Sequence, residues 1–297
     1  MWYNKTEKNI MNNSIFKSYD IRGIFPNELD APAAFKIGRA FVLQNSAKKV
    51  AVAKDARLSG DKLFDALTKG LISQGANVFN IGQTPTECLY FAASNYDFDA
   101  GIMITASHNP KDYNGFKMLV KNNKDINIIR GKDLLSIVNE NNFNEALLQG
   151  KIEKKEVIDD YLNYVFSFFD ISKIKPLKII VDCSNGVAGN VFSKIGSRLK
   201  NQIFLLNSNP DGNFPNHSPN PLEDGSTNQI KEEIKKQKAD LGFIFDGDAD
   251  RIFLIDENGE LAKADITLLL LAKYFLSKYP KTAIDYNDIC SKAVPEF

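Results

Sequence analysis

Short apolar runs alternate with stretches of helical period along most of the chain, and this alternation limits the possible folds more than any other feature. KKVAVAKD (48–55) reads as a buried strand, and SGDKLFDALTKGLISQGA (59–76) as a helix with Leu63, Leu67 and Leu71 at i, i+4 and i+8 between a Ser59 cap and a Gly75 stop. NVFNIG (77–82) is a second strand, TPTECLYFAASN (84–95) a helix opened by Thr84 and Pro85, and AGIMITAS (100–107) a third strand. Upstream, Asp30 and Pro32 form a cap and first-turn pair for a helix with a Phe35, Ile37, Ala40, Phe41 stripe. A β-α-β-α-β rhythm of this kind predicts an α/β fold with a mixed, mostly parallel sheet and helices on both faces.

The rhythm restarts after a polar segment. Residues 121–156 are rich in Asn and Lys and are expected to hold the closing helices of the first unit and a linker. LKIIVD (177–182), VAGNVFSKIGSRL (187–199), IFLLN (203–207), STNQIKEEIKKQKA (226–239) and LGFIFD (241–246) then repeat the plan without repeating the sequence. RIFLIDENGEL (251–261) reads as a hairpin, ITLLLLAKYFLSKY (266–279) as a helix and TAIDYND (282–288) as the opening strand of a further unit. The expected organisation is a flexible tail over 1–14, an α/β domain over 15–152, a second over 153–256 and an incomplete third over 257–297.

Charge excludes some partners. Lys plus Arg equals Asp plus Glu at 37 each, with no long block of one sign to act as a nucleic-acid arm. No stretch approaches the roughly 20 apolar residues of a membrane span, and no apolar run near the N-terminus has signal-peptide length. A soluble cytoplasmic protein is expected, with no nucleic-acid or membrane partner. Cys88, Cys183 and Cys290 lie too far apart for a metal knuckle and are expected to be reduced.

Two motifs carry chemistry. FIFDGDADR (243–251) sets Asp246, Asp248 and Asp250 at i, i+2 and i+4 directly after an apolar strand, where like charges repel unless a hard divalent cation such as Mg2+ joins them. An EF-hand is rejected because Arg251 stands where that loop requires Gly, and the flanks read as strands. A haloacid-dehalogenase-type phosphatase, with Asp246 as nucleophile, stays open as the weaker reading. Arg251 offsets this charge or holds a phosphate in its fork of donors. TASHNP (105–110) puts Ser107 at the end of a strand, where ligands of α/β sheets bind, with His108 beside it and Lys117 downstream. A seryl oxygen facing a metal suits the carrying of a phosphoryl group.

Taken together, FKSYDIRGIF (16–25), KDARLSG (54–60), TASHNPKDYNGFKM (105–118), NPDGNFPNHSPNPLE (209–223), FDGDADR (245–251) and CSKAVPE (290–296) resemble the α-D-phosphohexomutases, the phosphoglucomutase/phosphomannomutase group. The style of YDIRG and NGFKM is nearer to its bacterial phosphomannomutase/phosphoglucomutase branch than to the glucosamine one.

The resemblance implies consecutive α/β/α domains and interconversion of hexose 1-phosphate and hexose 6-phosphate. Phosphorylated Ser107 is then the donor, and a hexose 1,6-bisphosphate is the intermediate and activator. It implies one Mg2+ per site, held by Ser107, Asp246, Asp248 and Asp250. Arg22, Lys117, His108 and Arg251 become catalytic or phosphate-binding residues, with Lys117 accepting a proton if nearby cations depress its pKa. Tyr19 belongs to the same phosphate-binding set but is expected to pack or hydrogen-bond rather than react. Asp20 is expected to anchor the YDIRG loop, and His217 to play a structural interdomain role.

The family has four domains, and the sugar-selecting GE-x-SGH loop and the distal-phosphate loop of its later domains are missing from this sequence, while Ile289 stands where a basic residue is common. The chain is therefore expected to be truncated within the third domain and weakly active or inactive alone. A Mg2+-dependent sugar-phosphate phosphatase and a non-catalytic remnant are the alternatives. The preferred hexose and the oligomeric state stay open.

Overall fold

The computed structural model describes residues 11–123, 125–287 and 290–296. The first unit comprises β1 (Ile21–Ile24), α1 (Ala31–Asn45), β2 (Lys49–Lys54), α2 (Gly60–Ser73), β3 (Asn77–Gln83), α3 (Thr86–Asn95), β4 (Ala100–Ile104), β5 (Tyr113–Asn122), β6 (Asp125–Ile129), α4 (Gly131–Glu140) and β7 (Ile152–Lys154). Its sheet runs β1-β5-β4-β2-β3-β7, with β6 also on β5. The β4, β2, β3 and β7 strands are mutually parallel, whereas β1, β4 and β6 each pair antiparallel to β5. The reversal at β5 follows from chain length: residues 105–112 are too few for the crossover of a dozen or more that a parallel return needs. That connection carries Ser107.

Strand alternation divides the core. Val50 and Val52 of β2 pack with Phe41, Leu63, Leu67 and Leu71 of α1 and α2 on one face. Ala51 and Ala53 pack with Leu89 of α3 and Met103 on the other. Asp30 caps α1 as expected, accepting from the Ala33 amide at 2.8 Å, and Gly75 closes α2 at φ +87°. Ser59 stands at the N-cap of α2 but makes no cap hydrogen bond; its hydroxyl accepts instead from Asn114 Nδ2 at 2.8 Å. Thr84 does not open α3, since Pro85 holds the N-cap position and the buried Thr84 hydroxyl finds no partner among the described residues.

The second unit holds α5 (Ile158–Phe166), β8 (Lys178–Asp182), α6 (Ala188–Ile195), β9 (Gln202–Leu206), α7 (Asn228–Gln237), β10 (Leu241–Phe245) and β11 (Ile252–Ile255). Its sheet runs β11-β10-β8-β9, with only β11 antiparallel. Ile180, Ile230, Ile234 and Ile244 fill one face, and Val181, Ala188 and Phe245 the other.

Several expectations change. Residues 121–156 supply the end of β5, then β6, a single helix and the edge strand β7, rather than several helices and a linker. Their polarity reflects edge positions: every residue of β7 is exposed. The predicted hairpin at 251–261 is a β11 strand followed by one bridge pair, Ile255 with Leu261, around a turn at Gly259 with φ +81°. After α8 (Ala264–Lys278), residues 282–287 form no strand, and a short α9 (Ala293–Glu296) follows. The proposed tail overlaps a 3-10 turn at Asn13–Ile15, capped by Asn12, with Ile15 fully buried; residues 1–10, Asp288 and Ile289 lie outside the described residues. Cys88, Cys183 and Cys290 are free thiols. No described helix is long and apolar enough to cross a membrane.

Candidate active site

Two loops, one from each sheet, meet at Ser107. The first leaves β4, and its serine takes φ +53°, a left-handed conformation that costs a non-glycine residue about 1–2 kcal/mol. Local bonds hold it there. The Ser107 amide donates to Thr105 Oγ1 at 2.8 Å, and that hydroxyl donates to the buried Asp55 Oδ2 at 2.7 Å. Ser107 is itself buried, and its Oγ donates to Asp246 Oδ2 at 2.7 Å.

The second loop is the reversal between β10 and β11. Antiparallel pairing of these strands sets Phe245 opposite Ile252, so the residues between them project from the sheet end. Thr86, the first residue of α3, grips this loop twice: its amide donates to the Asp248 carbonyl at 3.1 Å and its hydroxyl to Asp248 Oδ2 at 2.7 Å. Val187 donates its amide to the Gly247 carbonyl at 3.2 Å, and the Arg251 amide donates to Asp246 Oδ1 at 3.2 Å. Gly247 has no substitute here, because a Cβ would lie 2.8 Å from the Ser107 carbonyl oxygen.

Asp246, Asp248 and Asp250 each bring one oxygen to within 4.8 Å of the others. Asp246 and Asp248 are fully buried. Burial first, then the neighbouring Asp248 and Asp250, pushes the Asp246 carboxyl up to about 8. Burial acts on Asp248 in the same direction, but Lys117 and the Thr86 hydroxyl outweigh it and hold that carboxyl below its usual value.

Lys117, on β5, puts Nζ 2.6 Å from Asp248 Oδ2 and 2.5 Å from Asp250 Oδ2. The expected proton acceptance by Lys117 depends on nearby cations depressing its pKa; here burial lowers it, but the two carboxylates raise it further, and the net direction is up. Its neighbours are acidic because β4 pairs with β5 and sets Lys117 beside Met103, at the sheet end that faces the aspartate loop.

A divalent cation fits these residues on two counts. The three carboxylates face one internal ammonium, and the buried Asp248 Oδ1 has no hydrogen-bond partner among the described residues, although such groups are nearly always paired. The donor set is all oxygen, as hard cations prefer. Glu87, next to Thr86, adds a second carboxyl with a buried, unpartnered oxygen; burial and the nearby Asp250 and Asp248 push it up to about 8.

The remaining predicted residues divide. Arg22 is brought in by β1, opposite Gly115 of β5, and donates to Asn109 Oδ1 at 2.7 Å and to Asp20 Oδ2 at 2.6 Å, so Asp20 does anchor its loop. His108 lies with Nδ1 3.4 Å from Ser107 Oγ, and burial, Arg251 and Arg22 all lower its pKa. Arg251 is half exposed, with Nε 3.8 Å from Asp250 Oδ1. Tyr19 is not packed: it is 77% exposed and makes no hydrogen bond among those described. Among the described residues His217 does not hydrogen-bond to the first unit: it holds Asp182 Oδ2 at 3.1 Å and the Ser218 carbonyl at 2.8 Å, whereas Gly212 and Phe214 of the same loop lie against residues 56–58 of the first unit.

Sequence reasoning missed Asp55, Arg57, Thr86 and Thr105 as parts of this site. The signal for the first two was their place at a strand end in KDARLSG; Thr86 and Thr105 had none beyond lying beside a helix start and a motif.

Known proteins match the chain in sequence and fold. The family models described as Phosphoglucomutase/phosphomannomutase, alpha/beta/alpha domain I and domain II match residues 13–145 and 159–259. A phosphomannomutase/phosphoglucomutase of Pseudomonas putida is 38% identical over 283 residues, which is 94% of this chain and 60% of that protein. A phosphomannomutase of Vibrio cholerae is 39% identical over 274 residues, 89% of this chain and 59% of its own length. The solved structure of a phosphoglucomutase/phosphomannomutase family protein from Burkholderia thailandensis superposes with a TM-score of 0.84 at 36% identity, covering 95% of this chain and 64% of its own. The chain thus spans about 60% of the length of these curated relatives. With both domain models matched in order and both of their α/β sheets present, the chain belongs to the phosphoglucomutase/phosphomannomutase family.

Proposed function

We propose that this chain carries out the phosphoryl transfer of a phosphohexomutase, with Ser107 as the phosphoryl carrier and a hexose 1-phosphate or 6-phosphate as acceptor. The observation that carries the reading is the buried Ser107 Oγ to Asp246 Oδ2 hydrogen bond of 2.7 Å, which brings a seryl oxygen from one sheet onto the carboxylate cluster of the other. Relatives named phosphomannomutase and phosphoglucomutase support the substrate class.

In the transfer, a sugar hydroxyl oxygen forms a bond to phosphorus as the bond from phosphorus to Ser107 Oγ breaks. The proton leaving the hydroxyl ends, net, on Ser107 Oγ. The other phosphate of the bisphosphate then returns to Ser107 by the reverse chemistry. Ser107 as free hydroxyl has its acceptor ready in Asp246. Arg22, bonded to Asn109 of the serine loop, and Arg251, beside Asp250, supply guanidinium charge to the site, and Lys117 acts as a fixed positive charge. Asp246, Asp248, Asp250 and Ser107 would hold Mg2+, which when bound supplies Lewis-acid neutralisation of phosphoryl oxygens. His108 hydrogen-bonds at the serine oxygen and orients what is attached there.

The test is 31P NMR of the full chain with Mg2+, glucose 1-phosphate and a trace of glucose 1,6-bisphosphate. Glucose 6-phosphate formed by the wild type and not by Ser107→Ala supports the proposal. Release of inorganic phosphate without the 6-phosphate would replace it by the phosphatase reading.

A further inference from the structure

Arg57 has all five of its N–H donors engaged, four of them on the segment from Ser107 to the first residue of β5, Tyr113. Its Nη2 donates to the carbonyls of Ser107 at 2.8 Å and Asn109 at 2.7 Å. Its Nη1 donates to the carbonyls of Pro110 at 2.6 Å and Tyr113 at 2.8 Å. Its Nε donates to Asp55 Oδ2 at 3.0 Å. The side chain is fully buried, as is Asp55.

A reversal as tight as residues 105–112 turns its carbonyls inward, where each needs a donor. One planar guanidinium supplies donors to three of them, and to Tyr113 at the start of β5, from a single point. An ammonium has three donors and no fork, so lysine cannot reproduce the arrangement.

The arginine is fixed in turn. Asp55 accepts from the Arg57 amide at 3.0 Å and balances its charge, while the Asp55 amide donates to Ile104 at the end of β4. The second unit closes the site from above: the Phe214 ring centroid lies 5.5 Å from the guanidinium, and a Cβ at Gly212 would lie 2.5 Å from the Ala56 carbonyl oxygen and the Leu58 amide. Water is kept away, which strengthens each of these bonds.

With every donor spent, Arg57 has none left for a substrate phosphate. We infer that Arg57 is a positioning residue: by holding the Ser107 carbonyl it fixes the peptide plane after Ser107, keeps the serine in its left-handed conformation and aims Oγ at Asp246. The carrier of the proposed transfer is thereby set from below by a residue that never meets the phosphoryl group. This rests on the reading of Ser107 as phosphoryl carrier, whereas the loop-holding role stands on geometry alone.

Arg57→Lys and Thr105→Val, which removes the hydroxyl between Asp55 and the Ser107 amide, test it in the full chain. Two readouts are taken: amide hydrogen exchange over 105–113, and the rate of Ser107 phosphorylation against glucose 1,6-bisphosphate concentration. Both variants should exchange at least 10-fold faster at Ser107, Asn109 and Tyr113 with the rest of the first unit unchanged. Both should lose about 100-fold in maximal phosphorylation rate, the order that a misplacement near 1 Å costs, with the half-saturating concentration within threefold of wild type. Unchanged exchange over the loop, or a loss confined to donor affinity, overturns the inference. A wild type that takes up no phosphate refutes Ser107 as carrier, and the exchange arm then still decides whether Arg57 holds the loop.

Discussion

Ser107 and Asp246 lie 139 residues apart in the chain, in different sheets, and share a buried hydrogen bond of 2.7 Å. Neither loop is complete without the other: Gly247 lies against the Ser107 carbonyl, and Thr86 of the first unit holds Asp248 of the second. A site built across a boundary in this way makes its predictions in pairs, one from each side.

Thr86 donates to Asp248 Oδ2 and so leaves Oδ1 as the oxygen free for a cation. Thr86→Val keeps the shape and removes the hydroxyl. Loss of such an outer partner typically costs 10- to 100-fold in metal affinity, and a Mg2+ titration by calorimetry should show a fall of about 10-fold. Wild-type affinity in the variant would separate Thr86 from the metal site.

Lys117 is the internal counter-charge of Asp248 and Asp250. Lys117→Met leaves buried carboxylates facing one another, and removal of one partner of a buried pair costs about 3–5 kcal/mol. Urea unfolding at neutral pH without divalent cation should show a loss near the lower end, since Lys117 is partly exposed. Added Mg2+ should restore most of it by binding only the folded state. A loss that Mg2+ leaves untouched would contradict a shared role for the ammonium and the cation.

His217 gives stability a dependence on pH. Burial lowers its pKa, but the hydrogen bond and charge of Asp182 outweigh this, and the folded value lies above the ordinary 6.5. A raised folded pKa means that the folded state binds the proton more tightly. The contribution is complete below about 6.5 and is lost as pH rises through the folded value. The urea midpoint of wild type should fall from pH 6 towards pH 9 relative to that of His217→Gln, and parallel profiles would contradict the ion pair.

Much of this was legible from residues that work beside their sequence neighbours. β2 and β4 announce themselves as apolar runs because their central positions are covered on both faces, and the Asp246, Asp248, Asp250 triplet suggests a cation site because its charges are adjacent in the chain. β5 escaped notice because Asn114 and Lys117, polar at buried or half-buried positions, break its pattern for reasons of the site. β1 is four residues long and β7 lies exposed at the edge, so neither carries an apolar signature. Arg57 and Thr86 were hidden for a different reason: their partners lie 50 and 162 residues away, and hydrogen bonds between distant loops leave no periodicity to read.

The central claim is that the serine loop of one sheet and the aspartate loop of the other form one phosphoryl-transfer site. The most direct measurement is the intact mass of the purified chain after incubation with glucose 1,6-bisphosphate and Mg2+, with peptide fragmentation to locate the added group, alongside Asp248→Asn. The account predicts one phosphate on Ser107 in the wild type and little or none in the variant. A folded wild-type chain that stays unmodified, or carries phosphate at a residue other than Ser107, would contradict it.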